Sequence, residues 1–125
     1  MPDKLRVLVV DDEASIRSVI AENLAACGFE VSTARDGLEA MATIENAGEP
    51  QVVITDIIMP GQEGLETIIA IRRKYPLIRL LAISGGGRTK SVDFLQMAAR
   101  LGADAVMPKP LDIDELERVV RRLAS

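Results

Sequence analysis

Asp11 and Asp12 follow the apolar run Leu5–Val10, Asp56 comes just after Val52–Ile54, Ser84 follows Arg79–Ile83, and Lys109 comes just after Asp104–Met107. Brought together, these side chains suit oxygen ligation and phosphoryl transfer. Carboxylates packed side by side repel one another, and a divalent cation relieves that repulsion. The 125 residues include no histidine and a single cysteine, Cys27, so the cation must be a hard one held by oxygen. Mg²⁺, which keeps several of its waters, is the natural occupant. A carboxylate beside such a cation can attack a phosphoryl group and form an acyl phosphate. Lys109 then supplies a point charge to the transferring oxygens, and Ser84 with the N–H groups of Gly85–Gly87 supplies donors. The missing histidine also removes Ser-His-Asp and Cys-His machinery and any phosphohistidine on this chain.

Whether these residues meet depends on the elements that carry them. Val52–Ile54 is an unbroken apolar run, and Leu5–Val10 and Arg79–Ile83 are apolar apart from Arg6 and Arg79, the pattern of strands covered on both faces. Phe29–Ala34 and Asp104–Met107 read as shorter strands. Between them the spacing predicts helices over Ser15–Cys27, Leu38–Ala47, about Gly64–Tyr75, about Ser91–Leu101 and Ile113–Leu123. The first would bury Ile16, Val19, Ile20, Leu24 and Cys27, the third Leu65, Ile68 and Ile69, and the last Leu116 and Val120 with their helical neighbours. Arg72, Arg73, Arg121 and Arg122 read as solvated helix faces. Strands alternating with helices at intervals of roughly 20–25 residues are βαβ units, and right-handed crossovers close them into a doubly wound parallel sheet with helices on both faces. All strands of such a sheet end on one side. The polar residues at four strand ends therefore converge on one rim, where open α/β sheets bind their ligands.

Composition narrows the rest. Hydrophobic residues make up 48% and charged residues 27%, values of an ordinary folded domain, and the length fits one domain spanning 1–125. A net charge of −4 argues against general binding to nucleic acid or docking on anionic lipid. No apolar run approaches the ~20 residues that cross a bilayer, the N-terminus does not read as a signal peptide, and a lone cysteine fits the cytoplasm. The segment GGGRTK has neither phosphate-loop spacing, GxxxxGK[ST] or GxGxxG, so a nucleotide site is not indicated.

The segments VVDDE, TDIIMPGQEG, AISGGG and MPKP, with their spacing, resemble the receiver (CheY-like) domain of bacterial two-component response regulators over essentially the whole chain. The resemblance implies a flavodoxin-like strand order 2-1-3-4-5. It implies that Asp56 takes a phosphoryl group from the phosphohistidine of a sensor histidine kinase or phosphotransfer protein. It further implies that Asp12 binds Mg²⁺ directly, Asp11 mainly through water, and Ile58 through its backbone carbonyl. Ser84 would be the switch hydroxyl, Lys109 the phosphoryl-binding amine, and the bond before Pro110 cis. The output would be altered binding to a downstream protein or output domain, and a phosphorylation-linked homodimer stays open. Such a chain takes part in its own phosphorylation without being an enzyme with an independent substrate.

Two departures from the family pattern stand out. Val106 replaces the aromatic ring that many receivers carry three residues before the lysine, so ring rotation cannot transmit the switch. Ile58 and Gly86 offer no side chain to orient an attacking water, which implies that dephosphorylation relies on solvent or a partner phosphatase. The principal alternative is a pseudo-receiver, a constitutive interaction module of this fold that is never phosphorylated. The intact set of Asp11, Asp12, Asp56 and Lys109 argues against it. A haloacid-dehalogenase-like hydrolase would need a DxDx[TV] motif after the first strand, and VVDDEAS lacks it.

Overall fold

A computed structural model describes residues 4–57, 63–84, 96–109 and 111–125. Five strands, β1 (Arg6–Val10), β2 (Glu30–Ala34), β3 (Val52–Asp56), β4 (Arg79–Ser84) and β5 (Ala105–Pro108), form one sheet in the order β2-β1-β3-β4-β5. Every pairing is parallel. The connecting helices are α1 (Ala14–Ala26), α2 (Gly37–Ala47), α3 (Glu63–Lys74), α4, whose described part is 96–101, and α5 (Ile113–Ala124). This is the doubly wound sheet expected from the alternation of apolar runs and helical spacing.

The core lies in two layers because successive strand residues point to opposite faces. Leu8, Val10, Val53, Leu80 and Ala82 pack beneath α2, α3 and α4 with Ile44, Ile68, Ile71 and Ala98. Val7, Val9, Ile54, Leu81 and Ile83 face α1 and α5, meeting Ile20, Leu24, Leu116 and Val120. All five residues of β3 are buried, as the central strand of a sheet covered on both sides must be. Helices α2 and α5 start on side-chain caps, Asp36 accepting from the Glu39 N–H at 2.8 Å and Asp112 from the Glu115 N–H at 3.1 Å.

Three expectations about helix faces need correction. Val19 is 53% exposed, since at about 100° per residue it falls on the flank of the stripe defined by Ile16, Ile20 and Leu24. Ile69 is 37% exposed for the same reason, and Ile71 takes the buried place on α3. Arg72 is not a free solvated side chain, and Arg121, though half-exposed, is tethered at one end. Arg121 stacks over the Phe29 ring at 4.7 Å and donates to the Cys27 carbonyl at 2.6 Å, fastening α5 to the end of α1. Arg72 donates to the carbonyls of Gly102, Pro76 and Ile78 and, at 2.6 Å, to the Asp104 carboxylate. Asp104 in turn accepts the Leu80 N–H at 2.8 Å, so one guanidinium ties α3 to the start of β4 and to the turn before β5.

Candidate functional site

The strand order reverses direction between β1 and β3, since the chain leaves β1 first toward β2 and later returns to β1's other side. Helices on opposite faces diverge there and leave a crevice at the carboxyl ends of those strands. The register places Val10 opposite Thr55, so Asp11 and Asp56 stand side by side one step further on. Asp56 pairs with Ile83, which places Ser84 one residue beyond on β4, and the Lys109 N–H donates to the Ser84 carbonyl at 2.8 Å. Parallel registry alone thus brings four strand ends to one rim.

Lys109 is the hub. Its ammonium donates to Asp11 Oδ2 at 3.1 Å and to Asp56 Oδ2 at 3.0 Å, with side-chain exposures of 13%, 0% and 4% for the three residues. Burial alone would depress the ammonium, but the hydrogen bond and charge of Asp56, reinforced by Asp11, outweigh it and hold its pKa above the usual lysine value. The sign follows: the stability contributed by the lysine charge is fully present below the ordinary lysine range and is lost as pH rises through the raised value. Asp11 is held on every side. Its N–H donates to the Ala34 carbonyl at 3.1 Å, Oδ1 accepts from the Glu13 N–H at 2.9 Å, and its carbonyl accepts from Arg17 at 2.7 Å. Asp12 is exposed and opens the cluster to solvent.

Asp11, Asp12 and Asp56 each offer a carboxylate oxygen, and these atoms lie within 4.8 Å of one another. Among the described residues these three carboxylates meet one ammonium, that of Lys109, with the Arg17 guanidinium nearby on the Asp11 carbonyl. An all-oxygen set of this density suits a hard divalent cation. Ser84 is fully buried at the end of β4. Ile58, Gly85–Gly87 and the bond before Pro110 lie outside the described residues. Val106 is 37% exposed on the edge strand. The contribution of Arg17 escaped sequence reasoning, because its partner is a backbone carbonyl that no side-chain motif encodes.

A doubly wound order 2-1-3-4-5 with an acidic cluster and a lysine at the switch point defines a receiver-type domain. The family model for the response regulator receiver domain matches residues 7–121. The chain is 34% identical over 119 residues to the DNA-binding transcriptional regulator NtrC of Salmonella typhimurium, covering 95% of this chain and 24% of that protein. The receiver domain of NtrX from Brucella abortus superposes with a TM-score of 0.86 at 34% identity, covering 94% of this chain and 97% of that one. The chemotaxis response regulator CheY4 of Vibrio cholerae follows with a TM-score of 0.81 at 29% identity, covering 97% and 99%. The chain belongs to the receiver-domain family of two-component response regulators. It spans about a quarter of the length of the NtrC proteins it matches. No helix among the described residues is long and apolar enough to cross a membrane.

Proposed function

We propose that the protein is a phosphoryl acceptor of a two-component or phosphorelay system, modified at Asp56 with the help of Mg²⁺. The observation that carries this reading is the convergence of three carboxylates within 4.8 Å, two of them bridged by the buried ammonium of Lys109. Asp11, Asp12 and Asp56 would hold the cation, with the Ile58 carbonyl as a further ligand implied by the family. When bound, Mg²⁺ would neutralise the surplus negative charge and stabilise charge on the transferring oxygens.

The chain's own residues do the rest. An Asp56 carboxylate oxygen attacks the phosphorus of the donor, the donor's own bond to phosphorus breaks with its electron pair, and an acyl phosphate remains on Asp56. Lys109, already 3.0 Å from Asp56, shifts its hydrogen bonding onto the new phosphoryl oxygens. Ser84, at the end of the neighbouring strand, is the hydroxyl placed to follow them. That movement biases a two-state equilibrium in the face formed by β4, α4, β5 and α5.

The donor would be the phosphohistidine of a sensor histidine kinase or phosphotransfer protein, and the reader an output domain or separate target protein in the cytoplasm. The chain has no independent substrate in this scheme, and Val106 cannot supply a rotating ring. Intact mass after incubation with acetyl phosphate tests the reading. One added phosphoryl group is expected, dependent on Mg²⁺ and absent in Asp56→Asn. No adduct, together with no binding of beryllofluoride in the presence of Mg²⁺, would leave a constitutive interaction module as the better description.

A further inference from the structure

Asp12 is the exposed member of the acidic cluster, and its carboxylate makes no hydrogen bond or ion pair among the described residues. With no such partner to hold the carboxylate, the direction of its Cα–Cβ bond and the rotamers open to it depend on the backbone on either side. Both flanking peptides are restrained. The Glu13 N–H on one side is held by Asp11 Oδ1 at 2.9 Å, and the Asp11 carbonyl on the other is held by the Arg17 guanidinium at 2.7 Å. A residue whose preceding and following peptide planes are both fixed has little freedom left in φ or ψ.

The Arg17 bond matters more here because α1 begins differently from α2 and α5. Asp36 and Asp112 cap those helices, whereas Glu13 at the start of α1 makes no side-chain capping bond. Arg17 lies inside the helix, its own N–H donating to the Glu13 carbonyl at 3.0 Å, and its side chain reaches back past the helix start to the last rung of β1. It thus clamps the end of strand β1 to the first turn of α1 across the residue that must point at the cation.

We infer that Arg17 is a positioning residue for the cation site, acting through the Asp11 carbonyl on the direction of the Asp12 carboxylate. This rests on reading the acidic cluster as an Mg²⁺ site. Groups that orient metal ligands without touching the metal affect affinity by about ten- to a hundredfold in known sites. The sign discriminates between mechanisms. Arg17 is a cation near a cation site, so removing its charge would by electrostatics alone tighten Mg²⁺ binding. Loss of positioning weakens it.

The test is a titration of wild type, Arg17→Met and Arg17→Lys with Mg²⁺, read from amide chemical shifts so that each sample also reports its own folding. Arg17→Met is expected to bind about tenfold more weakly. Arg17→Lys, which keeps a donor and the charge, recovers most of the loss. In metal-free Arg17→Met the Glu13 amide exchanges faster with solvent. Labelling by acetyl phosphate returns to the wild-type rate once Mg²⁺ is raised to saturation, because the reacting groups are untouched. Equal or tighter Mg²⁺ binding by Arg17→Met would overturn the inference, as would a labelling rate that stays low at saturating Mg²⁺. Wild-type protein that binds Mg²⁺ but takes no phosphoryl group would sink the phosphoacceptor reading and leave the role of Arg17 standing; wild-type protein that binds no Mg²⁺ would sink both.

Discussion

At the carboxyl edge of the sheet three carboxylates face one ammonium, whereas at the amino edge one guanidinium meets an acceptor for each N–H it carries. Both clusters centre on charged side chains that are partly or fully buried, with Asp12 exposed at the rim of one of them. They differ in whether the protein itself completes them. Arg72 has five donors in a rigid fork, and the carbonyls of Gly102, Pro76 and Ile78 with the Asp104 carboxylate take all of them. Nothing is left over for a ligand, and the cluster is a structural clamp. Among the described residues the carboxyl edge keeps more carboxylates than ammonium groups, which under the proposed function a divalent cation would balance. The chain saturates the first cluster and so uses it to hold the fold, whereas the second is open to solvent at Asp12.

The contrast can be broken by mutation, and the largest expected effect is at the amino edge. Arg72→Met leaves the Asp104 carboxylate and several carbonyls short of donors, and urea unfolding is expected to show a loss of about 3 kcal/mol. Phosphorylation at Asp56 should persist in whatever fraction stays folded. Lys109→Met comes next. It leaves the acids uncompensated and should cost about 2 kcal/mol in metal-free buffer. Added Mg²⁺ should narrow that gap, and a thermal midpoint difference that ignores Mg²⁺ would contradict the unbalanced-charge account.

Gly102→Ala sharpens the clamp side. Gly102 has φ of +124°, and a Cβ there would sit 3.0 Å from Arg72 Cγ, so a loss of about 1–2 kcal/mol is expected on unfolding. The smallest stability effect is predicted for Asp12→Asn. Removing one of three crowded like charges should change stability by less than about 0.5 kcal/mol, or raise it slightly, while Mg²⁺ binding falls at least about tenfold. A cluster that served the fold would show the opposite: lost stability with binding unaffected.

Much of this arrangement could be read before any coordinates. Val52–Ile54 and Val7–Val10 are continuous apolar runs, the pattern that a strand buried on both faces produces. The acids, serine and lysine beyond such runs identified the rim, because all strands of a parallel sheet end on the same side. Helix faces were less secure. Val19 and Ile69 are apolar and sit near the right spacing, yet each lies at the flank of its stripe and reaches solvent. An exposed apolar residue carries little cost, so sequence pattern alone does not exclude it. Arg72 was misread for a different reason. Arg72, Arg73 and Lys74 form a basic run at the end of α3, where cations favour the helix dipole, and nothing local separates the clamped one from its neighbours.

Residue type and periodicity were enough for the class of fold, the direction of its strands and the gathering of acids and a lysine at the carboxyl rim. These follow from local rules: which faces must be apolar, and where a parallel strand must end. The partners of Arg17 and Arg72 depended on the folded chain. Their acceptors include backbone carbonyls, which every residue possesses and no side chain announces, and those carbonyls meet the guanidinium groups only after the sheet has set its register and the helices have docked.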